Sequence, residues 1–237
     1  MKTGKIIAVS ILIIAVAVMG YAGYKVIEAN RIYAEGNAAY EVLREMVQED
    51  EFMLRKIDFD ALCAINEDIV AWLYNPGTMI DYPVLKAKDY NQYLRHLPDG
   101  KYNMNGSLFI DHHNAPDFSD LTTVIYGHHM KSGAMFGSLV GYKEQAYYDQ
   151  HPVMYLYTPQ GSHKVNILYG CIIAAGQWGK LRFMFPENLP ELLSYAAEHT
   201  TFTSETEYAE GDRIIAMATC SYEFDDARYI VLGILSE

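Results

Sequence analysis

The N-terminal part of the chain carries its longest uninterrupted apolar run. Across residues 6–24, Ser10 is the only side chain more polar than tyrosine. At about 1.5 Å of rise per residue, a helix of this length spans roughly the 30 Å hydrocarbon core of a bilayer. A cleaved signal peptide is the alternative, because Ala15-Val16-Ala17 has the small-x-small pattern of a cleavage site. The apolar sequence continues past that site, which favours an uncleaved transmembrane anchor.

The flanking charges give the predicted orientation of this anchor. Lys2 and Lys5 precede it, but Lys25 and Arg31 follow it, so the positive-inside signal is weak. The tail of residues 1–5 is nevertheless so short that a cytoplasmic position is the natural interpretation. We therefore predict a single-pass protein of the cell membrane with a cytoplasmic N-terminus, an anchor at residues 6–24 and an extracellular remainder.

Beyond the anchor, the pattern predicts helices first. Apolar side chains follow a mostly helical spacing across residues 38–57, and Phe59, Leu62 and Ile65 share one face of a second helix. These features predict a stalk with N-terminal helices over residues 25–58. A turn at Asn75-Pro76-Gly77-Thr78 ends this helical region.

After that turn, the pattern changes to short strands with one inserted helix. The predicted strands cover residues 80–85, 107–110, 122–126, 153–157, 164–174, 213–219 and 228–234, and the helix covers residues 187–199. Many short strands favour a mainly β fold, a closed or nearly closed barrel with helices packed outside it. Residues 59–237 are thus predicted to form one domain.

Composition and charge exclude several classes of protein. Asp and Glu number 30 against 18 Lys and Arg, a net charge of −12, so the chain lacks the basic surface of a general nucleic-acid binder. Three cysteines cannot build a disulfide framework. Half of the residues (51%) are apolar, which is enough for a packed core.

Cys220 is the first candidate catalytic residue, as a nucleophile. It ends an apolar strand, and Arg228 opens the next strand after a polar loop. If the strands pair as a hairpin, both residues lie at the same end of the sheet. A cationic neighbour favours the thiolate, and a guanidinium can donate to a developing oxyanion. The alternative is that Cys220 is a small apolar side chain and Arg228 a surface arginine. For Cys63 and Cys171, we prefer the interpretation of a buried, small apolar side chain.

His128 is the second candidate. The predicted strand at residues 122–126 delivers it directly after Gly127, at an exposed strand end. A histidine there can exchange a proton with a thiol and then with a leaving amine, as cysteine-dependent acyl transfer requires. A structural or surface histidine is the alternative, and His129 is the neighbour most easily mistaken for the catalytic residue.

A metal site is the third possibility raised by the histidines. Asp111, His112-His113 and His128-His129 form a histidine-rich set. The sequence has no His-Glu-x-x-His and no paired Cys-x-x-Cys, and adjacent histidines of a strand point to opposite faces. We therefore predict that these histidines do not hold a metal.

Together these features resemble the sortases, the cysteine transpeptidases of Gram-positive bacteria. The resemblance rests on Thr219-Cys220 at a strand end, Arg228 opening the next strand, Gly127-His128 ending an earlier strand, and the anchor. Further segments resemble class B members: Ile65-Asn66, Ala71-Trp72-Leu73, Pro76 to Val84, Tyr93-Leu94, Gly106 to Asp111, Ile125 to Met130, and Met135-Phe136-Gly137.

The resemblance has two departures. The family's Thr-Leu-x-Thr-Cys appears here as Ala216-Met217-Ala218-Thr219-Cys220, which matches fully only in its last two residues. Residues 174–189 match no family pattern, although that region helps to form the peptide groove in sortases.

The resemblance implies a sortase β-barrel and a specific reaction. Cys220 would attack the Thr carbonyl of a C-terminal sorting signal in a secreted protein and form a thioester. His128 would act as general acid and then as general base, and Arg228 would hold the substrate and stabilise the oxyanion. The acceptor would be an amino group of cell-wall peptidoglycan or a pilin lysine. The resemblance implies that no metal and no organic cofactor are required.

A substrate groove is expected beside the catalytic motifs, and two alternative functions remain open. Residues beside the motifs are expected to line the groove: Leu94, Ala218, Thr219, Ser221 and Tyr222, the last equally compatible with core packing. One rival is a membrane-anchored cysteine hydrolase that only cleaves. The other is a noncatalytic surface-binding module with a tyrosine-rich face.

Overall fold

The computed structural model describes residues 2–49, 55–181 and 188–236. Its first element is one long helix, α1 (Lys2–Arg44). The part Ile6–Arg44 is long and apolar enough to cross a membrane by length and composition. The large apolar side chains of its first half are exposed, as a lipid-facing segment requires.

The second half of α1 packs against the rest of the chain. Tyr40 and Leu43 are buried there. The Tyr40 hydroxyl donates to the carbonyl of Gly106 at 2.5 Å. The helix that carries the candidate anchor is therefore continuous with the packed domain.

The helical prediction for residues 38–57 is correct only as far as Arg44. Two short antiparallel strands follow, β1 (Val47–Glu49) and β2 (Arg55–Ile57), and residues 50–54 lie outside the described part. The Arg55 guanidinium lies 3.4 Å from the centre of the Tyr74 ring and 2.5 Å from an Asp81 oxygen. These long-range contacts outweigh the local helical periodicity, so the predicted stalk is helical only in its first part.

The remaining described elements are mostly strands. The strands are β3 (Ile69–Tyr74), β4 (Asp81–Lys86), β5 (Leu108–Ile110), β6 (Thr122–Tyr126), β7 (Val153–Thr158), β8 (Gly161–Ala174), β9 (Arg213–Cys220) and β10 (Ala227–Ser236). The helices are α2 (Phe59–Ile65), α3 (Gln145–Gln150), α4 (Ala175–Leu181), α5 (Leu189–Glu198) and a 3₁₀ helix (Ser138–Lys143).

Eight of these strands close into a barrel in the order β10-β8-β7-β3-β4-β5-β6-β9, which confirms the predicted closed barrel. The seven predicted strands are all present, displaced by at most three residues at either end. β3 was not predicted, because its nearly continuous buried run shows no alternation. The inserted helix is α5, and residue 187 of its predicted range lies outside the described residues.

The parallel pairing of β6 with β9 is what positions the site. Tyr126 lies opposite Ala218 near the ends of these two strands. Parallel neighbours end at the same edge of a sheet. The residues that follow β6 and those that end β9 therefore meet at one edge of the barrel.

Candidate active site

The strand ends that carry His128 and Cys220 are bonded to each other. The Gly127 amide donates to the Ala218 carbonyl at 3.2 Å. The Thr219 hydroxyl donates to the Gly127 carbonyl at 2.8 Å. Thr219 is buried, so this bond is shielded from competing water. The two contacts fix the backbone on which both candidate catalytic side chains are mounted.

Glycine at position 127 is a packing requirement. A Cβ on this residue would lie 2.4 Å from a Leu108 carbon and 2.7 Å from a Phe136 carbon. Both neighbours are buried in the barrel core. Only glycine lets the chain pass this close to the core before it presents His128.

The hairpin of β9 and β10 positions Arg228, the third candidate catalytic residue. Arg228 is the register partner of Cys220, so the predicted pairing of the two strands is confirmed. The Ser221 amide donates to the Ala227 carbonyl at 2.9 Å and closes the hairpin. We call residues 221–226 the β9–β10 loop.

Cys220, His128 and Arg228 all line one cavity of about 360 Å³. Three of the predicted groove residues, Leu94, Ala218 and Thr219, line it too. Other lining residues were not predicted: Tyr90, Asn91, Ser107, Phe109, Tyr126, Ala175 and Trp178. We refer to it as the main cavity.

The environment of His128 defines its protonation. Its Nε2 lies 2.5 Å from the Leu94 carbonyl, which can only accept, so Nε2 carries the proton. Burial lowers the pKa of His128 below its usual 6.5, against the opposing effect of the Leu94 contact and with a further lowering from Arg95. A neutral ring at pH 7 leaves Nδ1 free to accept a proton.

His129, unlike His128, is not among the residues that line the main cavity. Its Nδ1 donates to the Cys220 carbonyl at 2.9 Å. Its ring lies 5.0 Å from the ring of Tyr222. His129 therefore holds the backbone of the candidate nucleophile through a hydrogen bond to its carbonyl.

Ser221 and Tyr222, the other two predicted groove residues, also lie outside the main cavity. Tyr222 is exposed, while Ser221 is buried. Lys143, at the end of the 3₁₀ helix, donates to the Ser221 hydroxyl at 2.8 Å and pairs with Glu223. The Ser221 hydroxyl donates to Glu223 at 2.5 Å. Burial opposes ionisation of Glu223, but the contacts with Lys143 and Ser221 prevail and lower its pKa to about 2.

The histidine-rich turn beside the main cavity holds tyrosines in position. Asp111, His112 and His113 bring ligand-type atoms within 4.8 Å of one another. The Asp111 carboxylate, however, accepts from the hydroxyls of Tyr90 and Tyr126, each at 3.0 Å, and from the His113 ring at 2.9 Å. Asp111 thus orients two tyrosines of the cavity wall.

Sequence signals existed for some of the residues that were not predicted. Tyr90 and Asn91 closely precede the matched Tyr93-Leu94 pair, and Tyr126 directly precedes Gly127. Ala175 and Trp178 lie on α4, inside the segment that matched no pattern.

Two curated proteins resemble the chain over most of its length. Sortase B of Listeria monocytogenes is 31% identical over 173 residues, which cover 71% of this chain and 70% of that protein. Sortase B of Staphylococcus aureus is 25% identical over 229 residues, covering 93% of each. No protein-family model matches the chain.

Solved structures match the fold as well. Sortase B of Clostridium perfringens has a TM-score of 0.70 at 26% identity, covering 76% of this chain and 100% of that one. A Streptococcus pyogenes class B sortase involved in pilus biogenesis has a TM-score of 0.67 at 29% identity, covering 76% and 98%. A sortase B complexed with triglycine has a TM-score of 0.68 at 25% identity, covering 76% and 85%.

Proposed function

The chain belongs to the class B sortases and is a cysteine transpeptidase of that family, and we propose that Cys220, His128 and Arg228 carry out its reaction. The observation that carries this proposal is their common position on one cavity at one edge of the barrel. The end of β6 leads to the proton carrier, β9 contributes the thiol and β10 the cation.

In the first half-reaction, the Cys220 sulfur attacks the carbonyl carbon of the sorting-signal threonine. The thiol proton passes to the His128 ring, which its lowered pKa keeps neutral at pH 7 and therefore able to accept a proton. The Arg228 guanidinium donates to the oxyanion of the tetrahedral intermediate. His128 then returns the proton to the leaving amine, and a thioester remains on Cys220.

In the second half-reaction, an amine replaces the leaving group. The incoming nitrogen attacks the thioester carbon and gives its proton to His128. The C–S bond breaks, the released Cys220 thiolate takes the proton back from His128, and the new amide is released. An amine acceptor is supported by the sortase B complexed with triglycine. Peptidoglycan is the first acceptor proposed, and a pilin lysine, in line with the S. pyogenes relative, is the second.

The main cavity suits an extended peptide of mixed polarity. Its wall combines apolar and aromatic side chains such as Leu94, Phe109 and Trp178 with hydroxyl and amide groups such as Asn91. Pockets of this composition bury apolar substrate groups and orient them with a few polar contacts. Trp178, on the segment without a family match, is the residue we assign to recognition of this chain's own sorting motif.

The remaining proposals concern the position of the enzyme. Residues 1–5 form a cytoplasmic tail, residues 6–24 the anchor, residues 25–58 the connecting segment and residues 59–237 the catalytic domain outside the cell membrane. The apolar half of α1 and its continuity with the packed domain support this arrangement. No nucleic acid and no cofactor take part.

The test is capture of the acyl-enzyme. The full-length protein in detergent is incubated with Asn-Pro-x-Thr and Leu-Pro-x-Thr type peptides and analysed by mass spectrometry, with triglycine added in a second arm. We expect an adduct on Cys220 that disappears with triglycine and yields a transfer product. Cys220→Ala should form no adduct, while Cys63→Ala should behave as wild type. An adduct resolved only by water would support the hydrolase instead, and no adduct on the folded protein would refute the proposal.

A further inference from the structure

Two tyrosines in the wall of the main cavity reach the same buried carboxylate. Tyr126 ends β6, two residues before His128, and Tyr90 lies between β4 and β5, four residues before Leu94. The two tyrosine rings pack edge to face, with their centres 5.9 Å apart. Both hydroxyls donate to Asp111 Oδ2, each at 3.0 Å. One carboxylate oxygen therefore joins two cavity-wall side chains that come from separate segments of the chain.

The two oxygens of Asp111 have different partners. Whereas Oδ2 accepts from the tyrosines, Oδ1 accepts from the His113 amide at 3.1 Å and lies 2.9 Å from His113 Nδ1. Asp111 is 2% exposed. Burial opposes its ionisation, but the hydrogen bonds from His113, Tyr126 and Tyr90 prevail and lower the pKa of Asp111. An ionised carboxylate can only accept, so the protons of both tyrosine hydroxyls point to Oδ2.

The turn that carries Asp111 is held by contacts that do not involve the tyrosines. Lys86, at the end of β4, donates through Nζ to the carbonyls of His112 at 3.0 Å and of Asn114. The Asp111 amide donates to the Val124 carbonyl at 2.9 Å, and Asn114 Oδ1 accepts from the Val124 amide at 2.9 Å. The carboxylate is therefore fixed to β4 and to the middle of β6 before any ligand binds.

We infer that Asp111 is a positioning residue of the sorting-peptide site, which holds the rings of Tyr90 and Tyr126 in place before the peptide binds. The inference rests on the proposed function, since it concerns the peptide that the main cavity would take. Asp111 does not line that cavity, so its effect on the peptide passes through the tyrosines. Ordering one free side chain on binding weakens affinity by roughly 2- to 12-fold, and here two rings are ordered in advance.

The test is made on the full-length enzyme in detergent, with triglycine and the Asn-Pro-x-Thr or Leu-Pro-x-Thr type peptide that acylates the wild type. Asp111→Asn keeps the shape of the side chain but removes its charge and one of its two acceptor oxygens. A double tyrosine variant, Tyr90→Phe with Tyr126→Phe, keeps both rings and removes the hydroxyls, and a triple variant combines all three changes. Asp117→Asn is the matched control, because Asp117 is exposed in the same loop and accepts from Ser119.

We expect the KM for the peptide to rise at least about 5-fold in Asp111→Asn, while kcat changes by less than about 2-fold, as for a loss of binding alone. The double tyrosine variant should show a similar rise. The triple variant should exceed it by no more than about 2-fold, because the hydroxyls that Asp111 would hold are already absent. Alkylation of Cys220 by iodoacetamide, which needs no peptide, should proceed at the wild-type rate in all variants, and Asp117→Asn should match wild type throughout.

An unchanged KM in both Asp111→Asn and the double tyrosine variant, with the acyl-enzyme still formed, would overturn this inference and leave the proposed function intact. A rise in KM from Asp111→Asn that adds fully to that of the double tyrosine variant would also overturn it, because Asp111 would then act through the turn alone. If Asp111→Asn does not fold, the KM of the double tyrosine variant decides. Failure of the wild type to form an acyl-enzyme would instead refute the proposed function and this inference with it.

Discussion

Replacing Lys143 with methionine removes the cation that holds the β9–β10 loop. Lys143 donates to Ser221 and pairs with Glu223, and the loop joins Cys220 to Arg228. The pKa of Glu223 falls from 4.5 to about 2, with burial opposing and the contacts to Lys143 and Ser221 producing the shift. At about 1.4 kcal/mol per pKa unit, the full shift corresponds to roughly 3.5 kcal/mol.

That figure must be reduced because the Glu223 side chain is 37% exposed. Water screens such a pair, so we expect Lys143→Met to lower the free energy of unfolding by about 1 kcal/mol at pH 7. A carboxylate whose pKa is lowered on folding stabilises the protein above its unfolded pKa. That contribution is lost as the pH falls from 4.5 towards 2. The difference between wild type and variant should therefore shrink over this interval.

The assay is urea denaturation of wild type, Lys143→Met and the control Lys164→Met, an exposed lysine on β8, at pH 7 and pH 3. The rate of acyl-enzyme formation is measured in parallel at pH 7. The less firmly held β9–β10 loop should lower this rate in Lys143→Met but not in the control. A difference in stability that is equal at both pH values would show that Lys143 acts by packing and would refute the electrostatic argument.

The remaining predictions concern the site. Cys220→Ala should abolish turnover without changing the circular dichroism spectrum, and His128→Ala should lower the rate of acyl-enzyme formation by more than about a hundredfold. His129→Ala, which loses one contact to a backbone carbonyl, should cost less than about tenfold, and the reverse order would refute the assignment of the proton carrier. Because burial lowers the pKa of His128, kcat/KM should stay level as the pH falls to 6.5 and decrease only below that value. An acidic limb of the pH profile with its midpoint above pH 6.5 would contradict the neutral ring. Gly127→Ala should destabilise the fold by about 1–3 kcal/mol in thermal denaturation, because its Cβ would overlap Leu108 and Phe136.

The parts of the site that are local in sequence could be predicted from the pattern alone. Cys220 and Arg228 are separated by one short loop, so the assumption of a hairpin was sufficient to bring them together. His128 joins them only through the parallel pairing of β6 with β9, across about ninety residues. Strand periodicity carries no information about which strands are neighbours, and only the family resemblance supplied that step.

The features that escaped prediction depend on contacts between distant segments. Ser221 follows Cys220 directly, yet its side chain bonds to Lys143, 78 residues earlier in the chain, and lies outside the main cavity. Arg55 is drawn into an extended strand by Tyr74 and Asp81. In each case a polar partner far along the chain outweighs the local preference, and no local pattern reveals that partner.

The position of α1 links the candidate anchor to the edge of the barrel where the proposed reaction takes place. Its Tyr40 hydroxyl donates to the Gly106 carbonyl at 2.5 Å and lies 3.1 Å from the hydroxyl of Ser107, which lines the main cavity. Its Asn37 side chain accepts from Asn105 Nδ2 at 3.0 Å. Because one continuous helix carries both the apolar segment and these contacts, α1 fixes the position of the main cavity relative to the proposed membrane anchor.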